Sequence, residues 1–120
     1  MLEVEYITFA CSEPSRVADF WQEALEGQRR ELPSFIEAEV VDCPGDGPDL
    51  LFKELEKGTR KDLPLHLDLS AEDRTTSVDQ LCELGASVRE TKTETYGTHT
   101  STWTIMEDPE GNGFCVTEYE

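Results

Sequence analysis

The sequence predicts an α+β fold built from two tandem βαβββ modules, and three observations carry that reading. A strand-like segment followed by an amphipathic helix occurs twice, beginning at residues 2 and 63. The helix entry and its glycine stop are fifteen residues apart both times, Ser12 to Gly27 and Ser70 to Gly85. A glycine-proline turn, Pro44-Gly-Asp-Gly-Pro48 and later Pro109-Glu-Gly-Asn-Gly113, then separates the third and fourth strands of each half. Such a repeat fixes which residues are equivalent.

Each element has a local reason. Residues 2–11 (LEVEYITFAC) alternate as a half-buried strand does. Ser12-Glu13-Pro14 reads as a helix entry, with a capping hydroxyl and a proline in the first turn. Val17, Phe20, Trp21, Ala24 and Leu25 form one apolar stripe, and Gly27 is placed as a left-handed stop. Strands follow near 28–32, at 35–42 and at 49–55. The polar stretch Glu56–Asp62 separates module one (1–56) from module two (63–120), with a linker at 57–62, all within a single domain of 120 residues. In module two, LPLHLDL at 63–69 is the opening strand and Ser70–Asp73 has the capping-box pattern. Val78, Leu81 and Cys82 carry the helix to Gly85, and strands follow near 86–93, at 100–107 and at 113–119.

Composition narrows the partners. There are 27 acidic residues against 10 basic ones, a net charge of −17. Nucleic acid and anionic membrane surfaces both require a basic footprint, so neither is an expected partner. No apolar run approaches the roughly 20 residues that span a bilayer, and no signal-peptide core follows Met1, so a cytoplasmic protein is expected. Leu, Ile, Val and Phe total 27, enough for a folded core, and the acids are scattered rather than gathered into a tail. Only four basic residues are lysines, a coat like that of halophilic proteins; an ordinary acidic protein is the alternative. Cys11, Cys43, Cys82 and Cys115 have no zinc-ligand spacing and are expected to be reduced.

The segments PSRVADFWQEALEG, HLDL and TWTIMEDPEGNGFCV, set in two βαβββ modules, resemble the vicinal oxygen chelate superfamily, and within it the glyoxalase-like and bleomycin-resistance-like proteins. The resemblance covers nearly the whole chain. It implies an eight-stranded half-open barrel with a central cleft, outer helices and a homodimer.

Alternation decides which side chains reach such a cleft. Leu65, Leu67 and Leu69 should pack under the following helix, turning His66 and Asp68 the other way. Tyr6 and Thr8 are turned likewise in the first strand, as is Cys115 between Phe114 and Val116. Gly47-to-Leu51 equals Gly111-to-Cys115 in spacing, so Leu51 is the equivalent of Cys115. The resemblance implies four metal ligands, usually His or Gln, Glu, His and Glu, and carries them onto Tyr6, Leu51, His66 and Cys115. Only His66 matches. No cofactor is therefore expected, with a divalent metal at His66 and Cys115, joined by His99 from its loop as a third ligand, as the lesser alternative.

Three functions stay open. The first is a protein that binds a small molecule in the cleft through Tyr6, Thr8, Leu51, His66, Asp68, Trp103 and Cys115. The second is a lyase or isomerase of the glyoxalase type with a reduced metal site or a Cys115–His66 pair as catalytic groups. The third is a dimeric partner-binding protein with a vestigial cleft.

Overall fold

A computed structural model describes residues 2–54 and 65–120 of the chain. The elements run β1 (Glu3–Cys11), α1 (Pro14–Leu25), β2 (Gln28–Arg29), β3 (Ala38–Asp42), β4 (Asp49–Glu54), β5 (Leu65–Ser70), α2 (Arg74–Glu83), β6 (Ser87–Tyr96), β7 (His99–Glu107) and β8 (Gly113–Tyr119). This is βαβββ twice, α+β, as the sequence predicts. The expected linker at 57–62 lies outside the described residues. Two compact units are formed, Tyr6–Leu65 and His66–Glu120 with Met1–Glu5, so the first five residues group with the second half rather than with module one.

The two modules share one topology. In module one the strand order is β2-β3-β4-β1, and in module two it is β6-β7-β8-β5. The last three strands of each pair antiparallel, and the last then pairs parallel with the first. Thr8 stands opposite Leu51 in module one, and Asp68 stands opposite Cys115 in module two. The equivalence of Leu51 and Cys115, read from turn spacing, is thus also an equivalence of register.

Each half-sheet buries one face under its helix. In module one, Ala18, Val41, Leu50 and Phe52 form the core, with Ile7, Phe9, Val17 and Trp21 packed on it. Phe9 stacks on Phe52 with ring centroids 5.0 Å apart. Ala18, which is not part of the predicted stripe, is the fully buried helix residue, and Val17 and Trp21 of the stripe pack beside it; a small residue lets the helix approach the sheet closely. Phe20 is left 63 % exposed, against the edge of Trp21. In module two, Ala71, Val78, Met106 and Val116 form the core, joined by Leu69, Leu81 and Phe114. Leu65 and Leu67 do not pack under α2 as expected and are 59 % and 43 % exposed.

The helix ends also differ from the simple reading. Glu13 is the N-cap of α1 and makes no side-chain capping bond, so Ser12 has no capping role. Asp73 caps α2 by accepting from the Thr76 amide. Gly85 takes the left-handed conformation expected of it (φ 113°), but after α1 that conformation belongs to Glu26 (φ 55°). Gly27 is needed for space instead: a Cβ there would sit 2.8 Å from the Asp42 carbonyl oxygen.

Candidate functional site

The helix-distal face of module two gathers the ionisable groups. Leu69 packs toward α2, so His66 and Asp68, its neighbours in alternation, project from the opposite face of β5. Phe114 and Val116 likewise pack toward α2 and leave Cys115 on the face of His66 and Asp68. Because β5 and β8 are parallel partners, Asp68 and Cys115 are directly opposed, with His66 the next same-face residue along β5. One ligand atom from each of the three lies within 4.8 Å of the others. The His66 Nε2 to Asp68 Oδ1 distance is 3.5 Å. All three are shielded: the His66 and Asp68 side chains are 11 % and 16 % exposed, and Cys115 is 6 % exposed.

Trp103 shares this face but not this cluster. It pairs with Thr117 across β7 and β8, whereas the partner of Cys115 is Ile105, two residues along. A diagonal offset of this kind is about 7–8 Å, within reach of one ligand but beyond direct contact for short side chains. His99 is placed elsewhere. It opens β7, exposed and opposite Tyr96, six residues from Ile105, or about 20 Å along an extended strand. It cannot supply a third ligand to His66 and Cys115. Asp68 is the third donor residue that lies beside His66 and Cys115.

The equivalent face of module one carries Tyr6, Thr8 and Leu51. Thr8 is 1 % exposed and Val40, on the other side of Leu51, is 2 % exposed. Tyr6 belongs to a charged cluster that strand periodicity did not disclose. Arg30 donates from Nη1 to the Tyr6 hydroxyl at 2.6 Å, from Nε to Asp42 at 2.9 Å and from Nη2 to Asp49 at 3.0 Å. Nη2 also bonds Asp42, and the guanidinium carbon lies 5.7 Å from the centre of the Tyr6 ring. The hydrogen bond that the guanidinium donates to Asp42 is the foremost reason that the Arg30 pKa is held above its ordinary value. Asp49 accepts in addition from the Cys43 amide at 2.8 Å, which ties the Pro44–Pro48 turn to the cluster. The only sequence signal was an arginine pair just after a helix stop.

These donors do not fit the four-ligand metal set that the family resemblance implies. Leu51 has no lone pair. The Tyr6 hydroxyl oxygen already accepts from a guanidinium, so a cation there would meet the positive charge of Arg30. His66 and Cys115 keep donor chemistry and have Asp68 beside them.

Comparison with known proteins agrees with the topology. A family model described as a glyoxalase-like domain matches residues 6–117. No curated protein sequence matches the chain. Among solved structures, a glyoxalase/bleomycin resistance protein/dioxygenase superfamily member from Vibrio splendidus is 15 % identical, with a TM-score of 0.67 and full coverage of both chains. Methylmalonyl-CoA epimerase from Mycobacterium tuberculosis is 12 % identical with a TM-score of 0.68, over 97 % of this chain and 87 % of that one. NAD-dependent benzaldehyde dehydrogenase from Legionella pneumophila is 13 % identical with a TM-score of 0.69, over 96 % of this chain and 98 % of that one. At these identities the likeness is one of fold.

Proposed function

Because the chain belongs to the glyoxalase-like domain family, we propose that it binds a small organic molecule on its helix-distal sheet face and does so without the family's four-ligand metal site. The observation that carries this reading is the pair of substitutions in module one: Leu51 cannot ligate, and Tyr6 is engaged by Arg30. What remains is a shielded face with convergent polar groups and an aromatic flank, the composition of small-molecule sites. His66 donates or accepts a hydrogen bond, Asp68 accepts, Cys115 lines the floor, and Trp103 offers an aromatic surface. Thermal-shift screening in the presence of chelator tests the reading. A ligand at 100 times its Kd adds about 2.7 kcal/mol, and Trp103→Ala and His66→Ala each remove the shift. Silence across aldehydes, thiols, pterins and aromatic antibiotics overturns it.

A second reading, a lyase or isomerase of the glyoxalase type, draws on the approach of the Cys115 thiol to the His66 imidazole within 4.8 Å. It requires that Cys115→Ala abolish turnover of a substrate the screen identifies while leaving the Kd within a few-fold. For assembly we propose a homodimer, which would cover exposed apolar side chains such as Phe20; light scattering at micromolar concentration decides it.

A further inference from the structure

We propose that Asn112 is a deamidation site: its side-chain amide is lost to the backbone nitrogen of Gly113, and the carboxylate so formed holds the β7–β8 turn open against Asp108. The site stands apart from the ligand-binding reading and from the chemistry of Cys115.

The sequence singles Asn112 out. It is the only asparagine among 120 residues, in a chain with 27 acids, and a glycine follows it. A glycine has no Cβ to crowd the approach of its nitrogen to the preceding side chain. The Gly113 nitrogen attacks Cγ of Asn112, a C–N bond closes an imide ring, and the Cγ–Nδ2 bond breaks. Ammonia leaves with the proton of the Gly113 nitrogen. Water then opens the ring at either carbonyl, leaving aspartate or its β-linked isomer at position 112.

The amide that this reaction removes is the one that closes the turn. Asn112 Nδ2 donates to Asp108 Oδ2 at 2.8 Å, and the backbone nitrogens of Asn112 and Glu110 both donate to Asp108 Oδ1 at 2.9 Å. The backbone adds Asp108 N to Asn112 O and Gly111 N to Asp108 O, each at 2.9 Å. The nucleophile is tied as well, because Gly113 opens β8 as the register partner of Glu107. Asn112 itself is exposed, so water reaches it. The closed turn therefore guards the amide, and the reaction proceeds from the locally opened turn.

Reclosure after the reaction is unfavourable. An aspartate at 112 has no Nδ2 donor and sets a second carboxylate where 2.8 Å now separates donor from acceptor. The Asn112 side chain, then its backbone amide, hold the Asp108 carboxyl below the ordinary carboxylate range, so Asp108 meets the newcomer as an anion. The β-linked isomer adds a methylene to the main chain just before the β8 ladder. Cys115 lies two residues beyond Gly113, opposite Asp68, so the turn that opens is the one that leads into its strand.

Module one supplies a contrast. With Gly47 equivalent to Gly111, its turn carries Pro48 at the place of Asn112, and Asp49 ties that turn to the Cys43 amide at 2.8 Å. That copy has no side-chain amide to lose.

Ageing the full-length protein in alkaline buffer, followed by peptide mass spectrometry, tests the proposal. The mass gain of an amide-to-acid change appears at Asn112 and not at Gln22, Gln28 or Gln80, and it appears faster in denaturant than in the folded protein. Asp108→Ala speeds the folded-state reaction by about tenfold, as loss of the guard requires. The modified fraction of the wild-type protein, separated by its extra negative charge, melts below the unmodified fraction. That gap narrows in acid, where the facing carboxylates protonate. Asn112→Asp melts low in the same way. The proposal is overturned if the folded wild-type protein keeps its Asn112 amide, or if folded and denatured chains react at one rate. It is overturned equally if Asp108→Ala leaves the rate unchanged, or if the modified and unmodified fractions melt together.

Discussion

Arg30 joins β3, β4 and the Tyr6 end of β1 through one guanidinium. Replacing it with methionine leaves Asp42 and Asp49 close together with no cation between them. Charge-assisted hydrogen bonds contribute about 1.5–3 kcal/mol when shielded, and the partial exposure of this cluster reduces that. Arg30→Met is expected to lower stability by about 1–2 kcal/mol in denaturant titration. Restoring the charge alone as Arg30→Lys recovers only part, since an ammonium cannot hold this fork of partners. The cysteines differ as sharply in reactivity. Burial, then the charges of Asp49 and Asp42, push the Cys43 thiol up, so it stays protonated, while Cys82 is exposed. A thiol reagent at about pH 8 is expected to label Cys82 first and Cys43 slowly, which timed mass spectrometry reads directly. Alternation along β5 and the turn-to-cysteine spacing made His66, Asp68 and Cys115 legible as residues of one face. Their convergence was not legible, because it depends on a parallel pairing between strands far apart in sequence, which periodicity does not encode. Arg30 escaped notice for a related reason: β2 contributes only two residues to the ladder, too few for alternation to show.

At the scale of elements, the C-terminus of α1 offers a paired test. Glu26 holds a left-handed conformation that costs a side chain about 1 kcal/mol, so Glu26→Gly is expected to raise stability by about that amount. Gly27→Ala is expected to lower it by at least as much, because the new methyl meets the Asp42 backbone oxygen at 2.8 Å. The sequence marked the end of this helix correctly and assigned the wrong glycine function, since spacing records where a glycine stands and not why. The cap of α2 gives a pH test. The Thr76 amide, then the Thr76 hydroxyl, hold the Asp73 carboxyl below the ordinary carboxylate range. A depressed folded value contributes stability above the unfolded pKa of about 3.9 and loses it as pH falls through the folded one. Asp73→Ala is therefore expected to lower the Tm at about pH 7, with the difference from wild type shrinking as the pH falls below the ordinary carboxylate range. A capping pattern at Ser70–Asp73 was legible, but alternation alone left open that Ser70 belongs to β5 and that the cap falls to Asp73.

For the whole molecule, a charge of −17 on 120 residues makes self-repulsion a standing cost. The screening length shortens from about 10 Å at 0.1 M salt to about 3 Å at 1 M. If the coat is an adaptation to salt, the Tm is expected to rise by about 5–10 °C between about 0.05 M and about 2 M, equivalent to about 1–2 kcal/mol. A flat melting curve removes that reading. The same arithmetic first suggests a wealth of catalytic carboxylates, yet among the described residues Asp68 is the one acid in the three-donor cluster.

The parallel pairing that closes each module also bears on the order of folding. Tyr6 waits for Asp49 and Asp68 waits for Cys115, separations of more than forty residues, whereas the β6–β7 hairpin turns within two residues of Tyr96. Chain-closure entropy places such long-range pairs late, after the hairpins. In a kinetic series, Thr102→Ala on the hairpin is expected to slow folding, and Val116→Ala on β8 to speed unfolding. The cluster of His66, Asp68 and Cys115 would then be among the last features to assemble, and a nascent chain would hold no site until its closing strand had been made.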